Sequence, residues 1–307
     1  LTAVLSIKNK DGTILAEENI LSFSFRKDIY TPYTSLSAKV RTSHTSFDNA
    51  AEVLLALDNT LIHHGLIDKL KVEKAGGEYF LSVTSRGFTS LLCQNQIEPG
   101  LKMNISFNML MDNFYTLPYV THENNADDSS YIYVRSNTSM WDAASNLSYK
   151  LLGTYPYIRD TNTVMISAFP APEIFDHTNT KLLTYGTELA CSHIASDYHM
   201  ADINGNYGTF DLTDSDAAAL KIVRHKYFDL DMRFLYDPQQ ALIFRDKYDF
   251  RGHKKVFCSY SGFLGEDLYD VVSFGNITAQ RIGSVTVKGS SKGVFTEVGV
   301  FIDKFPH

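Results

Sequence analysis

The stretch from His63 to Gly87, HHGLIDKLKVEKAGGEYFLSVTSRG, limits the possible folds more than any other part of the chain. Leu66, Leu70 and Val72 fall in one row together with Asp68, and Lys69, Lys71 and Glu73 fall in the other. After the Ala-Gly-Gly-Glu turn, Tyr79, Leu81 and Val83 alternate with Phe80, Ser82 and Thr84. Successive strand side chains point to opposite faces, so period-two alternation around a Gly-rich turn specifies a β-hairpin. Two histidines at its mouth are its only chemically versatile groups. A hairpin this long serves as a core, as the wall of a site, or as a surface on which chains join.

The rest of residues 1–96 reads the same way. Asp11-Gly12 separates VLSIK from TILAE, a short hairpin signal. In LSFSFRKDI, Leu21, Phe23, Phe25 and Ile29 share one face, and Ser22, Ser24, Arg26 and Asp28 the other. LSAKV at 36–40 alternates again, and VLLALDNTLIHHG turns at Asp58-Asn59. About six short strands at this spacing predict a small barrel or sandwich.

The pattern changes at Pro99-Gly100. SFNMLMDNFYTL (106–117) predicts a short helix capped by Ser106, followed by a polar loop at 122–130. SMWDAASNLSYKLL (139–152) predicts a second helix, with Ser139 as N-cap, Asp142 at N3, and Gly153 at the left-handed C-terminal position. Its expected apolar face is Met140, Ala144, Leu147 and Leu151. YPYI and TVMISAF flank Asp160-Thr161-Asn162 as a hairpin, and FPAPE (169–173) reads as a linker. Asp237-Pro238 opens a helix that runs to Gly252. KKVFCSYSGF, the loop GEDLYDVV and RIGSVTVKGSSKGVFTEVGVFI close the chain with a second long hairpin. In that hairpin, Val294, Val298, Val300 and Ile302 alternate with Phe295 and Phe301.

The expected fold class is therefore mainly β (α+β). Residues 1–96 form a first β-barrel, 97–172 an α+β middle domain, and 173–307 a second β-barrel with a helical insertion at about 214–252. The two long hairpins suggest a faint repeat. Coincidence in a β-rich chain is the alternative.

Composition excludes several function classes. With a net charge of −7 and no Lys/Arg block, no specific nucleic-acid binding is expected. No run of 18 apolar residues exists, so no membrane span is expected. Cys93, Cys191 and Cys258 are odd in number and far apart, which disfavours a disulfide framework and fits a reducing compartment. The N-x-[ST] sequons at Asn104, Asn137, Asn146 and Asn276 are read as chance.

No catalytic, cofactor-binding or metal-binding residues are assigned. His63 and His64 are strand neighbours and face opposite ways, so they cannot easily share a metal. His193 and His199, near Cys191, lack metal-ligand spacing. DINGNYGTFDLT (202–213) places Asp202, Asn204 and Asn206 as a calcium loop would, but Gly208 is one place late and Thr213 stands where the bidentate Glu belongs. Glu266, Asp267 and Asp270 form an acidic cluster of the kind glycosidases use in pairs, although adjacent residues seldom converge on one substrate. Ser261-Gly262 and Ser85-Arg86-Gly87 show no recognisable base partner, and GxSxG, HExxH and phosphate-cradling Gly loops are absent.

Three stretches carry a family resemblance. GLIDKLKVEKAGGEYFLSVTSRGFTSLLCQNQIEPG (65–100) is similar to a "G-x-I-D … G-x-Y-x-L-x-V-x-(G/S)-R … L-L … P-G" segment; SMWDAASNLSYKLLGTYPYIRDTNTVMI (139–166) looks like a helix-plus-hairpin middle domain; and SGFLGEDLYDVVSF with the closing hairpin (261–302) looks like a last barrel. Together, over about half the chain, they resemble the baseplate hub proteins (late-control D type, tail-tube-like) of contractile phage tails and tailocins. The chain departs from that pattern at GEDLYDVV, where a plainer "G-D-x-V" is expected. The resemblance implies two tail-tube-like β-barrel domains per chain and a homotrimer whose six barrels surround a channel. That arrangement matches a hexameric tail tube protein to a trimeric spike protein. It implies further candidate partners in the tape measure and other baseplate proteins, no enzymatic activity, and a place in a phage virion or tailocin particle assembled in the bacterial host cytoplasm. Because the sequence ends at His307, any spike is expected to be a separate protein. An acidic or neutral channel wall is expected, since phosphate contacts would retain passing DNA.

The competing class is a β-rich carbohydrate-binding or glycan-cleaving protein. It would use the aromatic surplus (20 Phe and 18 Tyr) in a concave groove, with Glu266 or Asp270 as its acid.

Overall fold

A computed structural model describes residues 2–305 apart from Glu18, Asp127, Leu235 and Tyr236. Asp127 belongs to the expected loop at 122–130, and Tyr236 to the approach to the expected helix at Asp237. Both therefore lie outside the described residues, as do the chain's outermost positions.

The chain begins with seven strands: β1 (Ala3–Asn9), β2 (Ile14–Glu17), β3 (Ile20–Asp28), β4 (Ser35–Thr42), β5 (Ala50–Leu57), β6 (Thr60–Ala75) and β7 (Glu78–Gly87). The hairpin that opened the sequence argument is β6–β7. Gly76 and Gly77 turn it with φ of 59° and 89°, a conformation open to glycine at little cost. Asp58 and Asn59, at φ 45° and 68°, turn β5 into β6 as expected.

The alternation in β6 is interrupted by a bulge. Ile67 pairs with Ser85 but Lys69 pairs with Thr84, so Asp68 is the extra residue. The bulge puts Ile67, rather than Leu66, on the core side with Leu70 and Val72. A second irregularity, between Ile20 and Ser22, turns Ile20 inward and leaves Leu21 partly exposed, against the expected face.

Next come α1 (Leu91–Gln94), β8 (Gly100–Ile105), α2 (Phe107–Phe114), β9 (Thr121–His122), β10 (Ser130–Val134), α3 (Met140–Leu152), β11 (Tyr157–Arg159) and β12 (Thr163–Met165). Ser106 and Ser139 accept the N–H of Met109 and Asp142 as N-caps, and Gly153 closes α3 at φ 71°. The buried face of α3 is wider than the expected stripe, running from Trp141 through Ala143 to Tyr149. The remaining elements are β13 (Ile174–Asp176), β14 (Thr184–Leu189), β15 (Asp197–Met200), β16 (Phe210–Thr213), α4 (Ser215–Ala219), β17 (His225–Phe228), α5 (Pro238–Phe250), β18 (Lys254–Ser261), β19 (Val271–Phe274), β20 (Ile277–Arg281), β21 (Ser284–Ser290) and β22 (Gly293–Ile302). Asp237 caps α5, with Pro238 in its first turn.

Eleven strands from both ends of the chain form one curled, antiparallel sheet in the order β14-β18-β22-β21-β3-β4-β7-β6-β5-β1-β2. The fold is mainly β, as expected. The two outer regions meet where β21 pairs with β3 from Ser284↔Asp28 to Ser290↔Ser22. Gly289 is required at that seam, because a Cβ there would lie 2.0 Å from the Phe23 ring. A single apolar core lies against the inner face of the sheet. It joins Leu5, Phe25 and Val83 to Val285 and Val298, and Phe175, Val272 and Phe274 of the small β13-β19-β20 sheet cover it.

The second core unites the middle region with the insertion. Phe107, Leu110, Trp141 and Leu147 pack with Tyr198, Met200, Leu242 and Phe244. Its aromatic centre is Tyr155, whose ring lies 5.7 Å from Tyr30, 5.7 Å from Phe305, 6.0 Å from Tyr248 and 6.1 Å from Trp141.

The C-terminal segment is tied down by Lys304. Its Nζ lies 2.9 Å from Asp214 and 2.8 Å from Asp246. Burial raises the pKa of Asp246 to about 6, and the Asp214 carboxylate adds to this against the pull of Lys304. The folded state therefore binds the Asp246 proton more tightly than the unfolded chain does, and this contribution is lost as pH rises from about 4 through about 6. Burial pulls His63 the other way, down to about 3, so its contribution is lost as pH falls below its ordinary 6.5. Because the two slopes oppose each other, the informative quantity is a difference. Asp246→Asn is expected to gain stability relative to the native chain, by about 1–2 kcal/mol after solvent screening, between pH 4 and pH 6.5. Urea midpoints measured across that range check it.

Candidate functional site

The outward face of the large sheet carries a regular chemical pattern. Cross-strand partners share a face, so the pairing register fixes which side chains stand in line. One row, from β21 to β6, reads Lys288, Ser24, Ser37, Thr84, Lys69. The next reads Ser290, Ser22, Lys39, Ser82, Lys71. All ten positions are lysine, serine or threonine, and they line a groove of about 670 Å³. A third row adds Arg26 and Arg86, each paired to an acid: Arg26 to Asp28 at 3.3 Å, and Arg86 to Asp68 at 2.7 Å. Glu73 borders the strip, bonded to Lys71 and 3.8 Å from Lys39. Among the described residues, Lys69 and Lys288 have no ion-pair partner. Sequence inspection finds no basic block because the four lysines lie on three strands, Lys39 on β4, Lys69 and Lys71 on β6, and Lys288 on β21. Only the strand order assembles them.

Among the described residues the sheet has two free edges, β14 and β2. Each pairs on one side only, β14 with β18 and β2 with β1. Tyr185 and Leu189 are exposed on β14, and Ile14 on β2. Unpaired edge N–H and C=O groups next to exposed apolar side chains are a template for joining another chain.

The residues weighed as chemical candidates are mostly absorbed by the structure. Asp270 takes Arg159 at 2.9 Å and the backbone N–H of Glu173 and Asp267. Asp267 pairs with the buried Lys27 and accepts the N–H of Asp160. Glu266 is bonded by Tyr260 and lies 3.4 Å from His177. Burial pushes its pKa up, but His177 and Tyr260 outweigh that and hold it below the usual range. Each of these carboxylates thus has partners within the chain, and they anchor β11 and the loop before β19 to the sheet.

Ser85 does have a base partner, contrary to expectation. His63 Nε2 lies 2.8 Å from its Oγ, and His63 Nδ1 lies 2.8 Å from Thr34 Oγ1. Both residues are fully buried, the ring nitrogens face Thr34 and Ser85 with no acid among the described residues, and burial with His64 nearby depresses the imidazole to about 3. The trio satisfies polar groups inside the core and is no base for a nucleophile. His64 faces the other way, as its strand position requires, and sits 2.7 Å from Glu52 under the ring of Tyr119.

Cys191 Sγ lies 3.9 Å from His253 Nδ1, while His199 pairs with Asp211 at 2.6 Å and lies 3.4 Å from His225. Among the described residues no group of three or more His, Cys, Asp or Glu is placed to hold a metal. Asp202 accepts the N–H of Asn204 and Asn206, so the calcium-like stretch closes on itself as a polar turn. Many of the aromatic residues are internal, gathered around Tyr155 and the sheet core, while Phe295 lines the groove.

No family model matches this chain, and no curated protein sequence matches it. Solved structures do. The 43 kDa tail protein of prophage MuSo2 from Shewanella oneidensis superposes with a TM-score of 0.68 at 11% identity, covering 98% of each chain. A tail protein from Neisseria meningitidis MC58 gives 0.67 at 13% identity, covering 98% of this chain and 96% of that one. This is the fold of phage tail proteins. The same tail-protein fold extends to the Escherichia coli c3393 protein, a type VI secretion component described as similar to the phage T4 tail proteins gp27 and gp5. That match has a TM-score of 0.56 and 10% identity, and covers 94% of this chain and 76% of that one.

Proposed function

We propose that this chain is the structural hub of a contractile phage tail or tailocin baseplate. It assembles as a homotrimer, each chain supplying two barrel-like units, 1–96 and 173–307, that are fused into one sheet through the β3–β21 pairing, and so adapts a six-fold tail tube to a three-fold spike around a channel. The observation that carries the reading is the end-to-end superposition on tail proteins, joined to a sheet that ends in two unlike free edges. A β2 edge meeting the β14 edge of the next copy is a heterologous contact, and heterologous contacts close into rings when the rotation permits. In this reading the outward face with its lysine rows lines the channel. The wall would then be locally basic rather than acidic or neutral. No enzymatic step is part of the proposal: the carboxylates of the carbohydrate reading are held by Arg159, Lys27 and Tyr260.

Solution mass with negative-stain imaging tests it. A trimer that forms a six-lobed ring supports the hub, and a compact monomer at every concentration contradicts it. Ile14→Lys combined with Leu189→Lys is expected to abolish the ring and leave circular dichroism and melting unchanged, because charges on edge strands block edge pairing.

A further inference from the structure

We propose that the lysine–hydroxyl strip on the outward face binds the phosphate backbone of double-stranded DNA without reading its sequence. The two rows cross five strands. Four inter-strand steps of about 4.8 Å make the strip about 19 Å wide between the Lys288 and Lys69 backbones. That exceeds both the minor groove, about 6 Å, and the major groove, about 12 Å, of B-DNA, so phosphates on both sides of a groove can be contacted together. The ten positions carry only groups able to donate hydrogen bonds, ammonium at Lys39, Lys69, Lys71 and Lys288 and hydroxyl elsewhere. Lysine and hydroxyl donors are the usual phosphate partners and carry no base information. Small serines leave the surface open to a broad rod.

Two other polyanions fit less well. A single strand stacks successive bases on aromatic platforms; here Phe295 lines the groove opposite Lys288 and Phe80 lies under Lys39, one ring at each margin and none between them along the two rows. An extended acidic peptide is held by strand addition at a free edge, with pockets for alternate side chains. The strip lies on interior strands whose edges are already paired. The chain as a whole carries −7, so attraction comes from the strip alone and binding is weak and steeply salt-dependent. Three to four phosphates neutralised give a slope of about −3 to −4 in log K against log salt, a loss on the order of 10²-fold between 50 and 200 mM.

The test is fluorescence anisotropy of a labelled 20-base-pair duplex against NaCl concentration, with labelled oligoglutamate of equal charge as the comparison probe. The native chain is expected to bind the duplex at low salt and to bind oligoglutamate at least tenfold more weakly. Replacing Lys39, Lys69, Lys71 and Lys288 together by Gln is expected to abolish binding. Glu73→Gln, which releases Lys39 and Lys71, is expected to tighten it two- to fivefold. Both variants change exposed side chains, and circular dichroism confirms that they fold. Three results overturn the proposal: no duplex binding at the lowest salt, unchanged binding by the four-lysine variant, or oligoglutamate bound as tightly as the duplex. The measurement is made on single chains and does not depend on ring assembly. Its failure and the failure of the hub reading are separately visible.

Discussion

Replacing Arg159 with alanine is expected to cost about 3–5 kcal/mol of stability. Arg159 is buried on β11 and does three things at once. It pairs with Asp270 at 2.9 Å, donates to the Leu268 carbonyl, and stacks over the Phe169 ring at 3.5 Å. Its partner Asp270 is only 1% exposed. Removing the guanidinium leaves that carboxylate inside the protein without its cation, and a buried unpaired charge is among the most expensive defects a fold can carry. The backbone N–H groups of Glu173 and Asp267 still reach Asp270, so the cost stays near the lower end of the range. Urea midpoints measure it. The double variant Arg159→Ala with Asp270→Asn is expected to recover part of the loss, because the neutral amide no longer strands a charge. If the double variant is as unstable as the sum of the two single changes, the ion pair is not the cause.

Tyr155→Ala is expected to cost about 3–5 kcal/mol, and Tyr155→Phe only about 1 kcal/mol. The ring touches Tyr30 at the end of β3, Trp141 on α3, Tyr248 on α5 and Phe305 near the C-terminus. Four segments far apart in sequence therefore lose a shared contact when it is truncated. Phenylalanine keeps that packing and gives up only the hydroxyl that accepts the Trp141 indole N–H at 3.2 Å. Thermal melting of the two variants separates packing from hydrogen bonding. Near-equal losses would mean that the hydroxyl, not the ring, holds the junction.

Much of the local structure was legible because it is written in local signals. The Gly76-Gly77 and Asp58-Asn59 turns, the Ser106, Ser139 and Asp237 caps and the Gly153 stop all depend on residues within four positions of one another. The strand faces were legible only until a bulge intervened. At Asp68 one extra residue exchanges Leu66 for Ile67 in the core, and no local pattern announces it. The long-range chemistry was illegible for a related reason. Arg159 and Asp270 are 111 positions apart, and Ser85 and His63 are 22 apart on paired strands. Ser85 shows no partner in the sequence because the register that brings His63 beside it is a property of the sheet. The lysine strip is the extreme case. Its charges form a patch only after β21 and β3 are known to be neighbours.

That same β3–β21 seam has a consequence for biosynthesis. β3 is finished by residue 28, but the strand that covers its free side begins at residue 284. At about 5–20 residues per second, a ribosome takes roughly 13–50 s to deliver the missing partner. Until then the first seven strands have an open edge in the middle of the eventual sheet, flanked by Phe23 and Phe25. The β21–β22 hairpin is what seals it. The central sheet therefore cannot close until β21 has been made, and the nascent β1–β7 segment has to be kept from pairing with its neighbours throughout that interval.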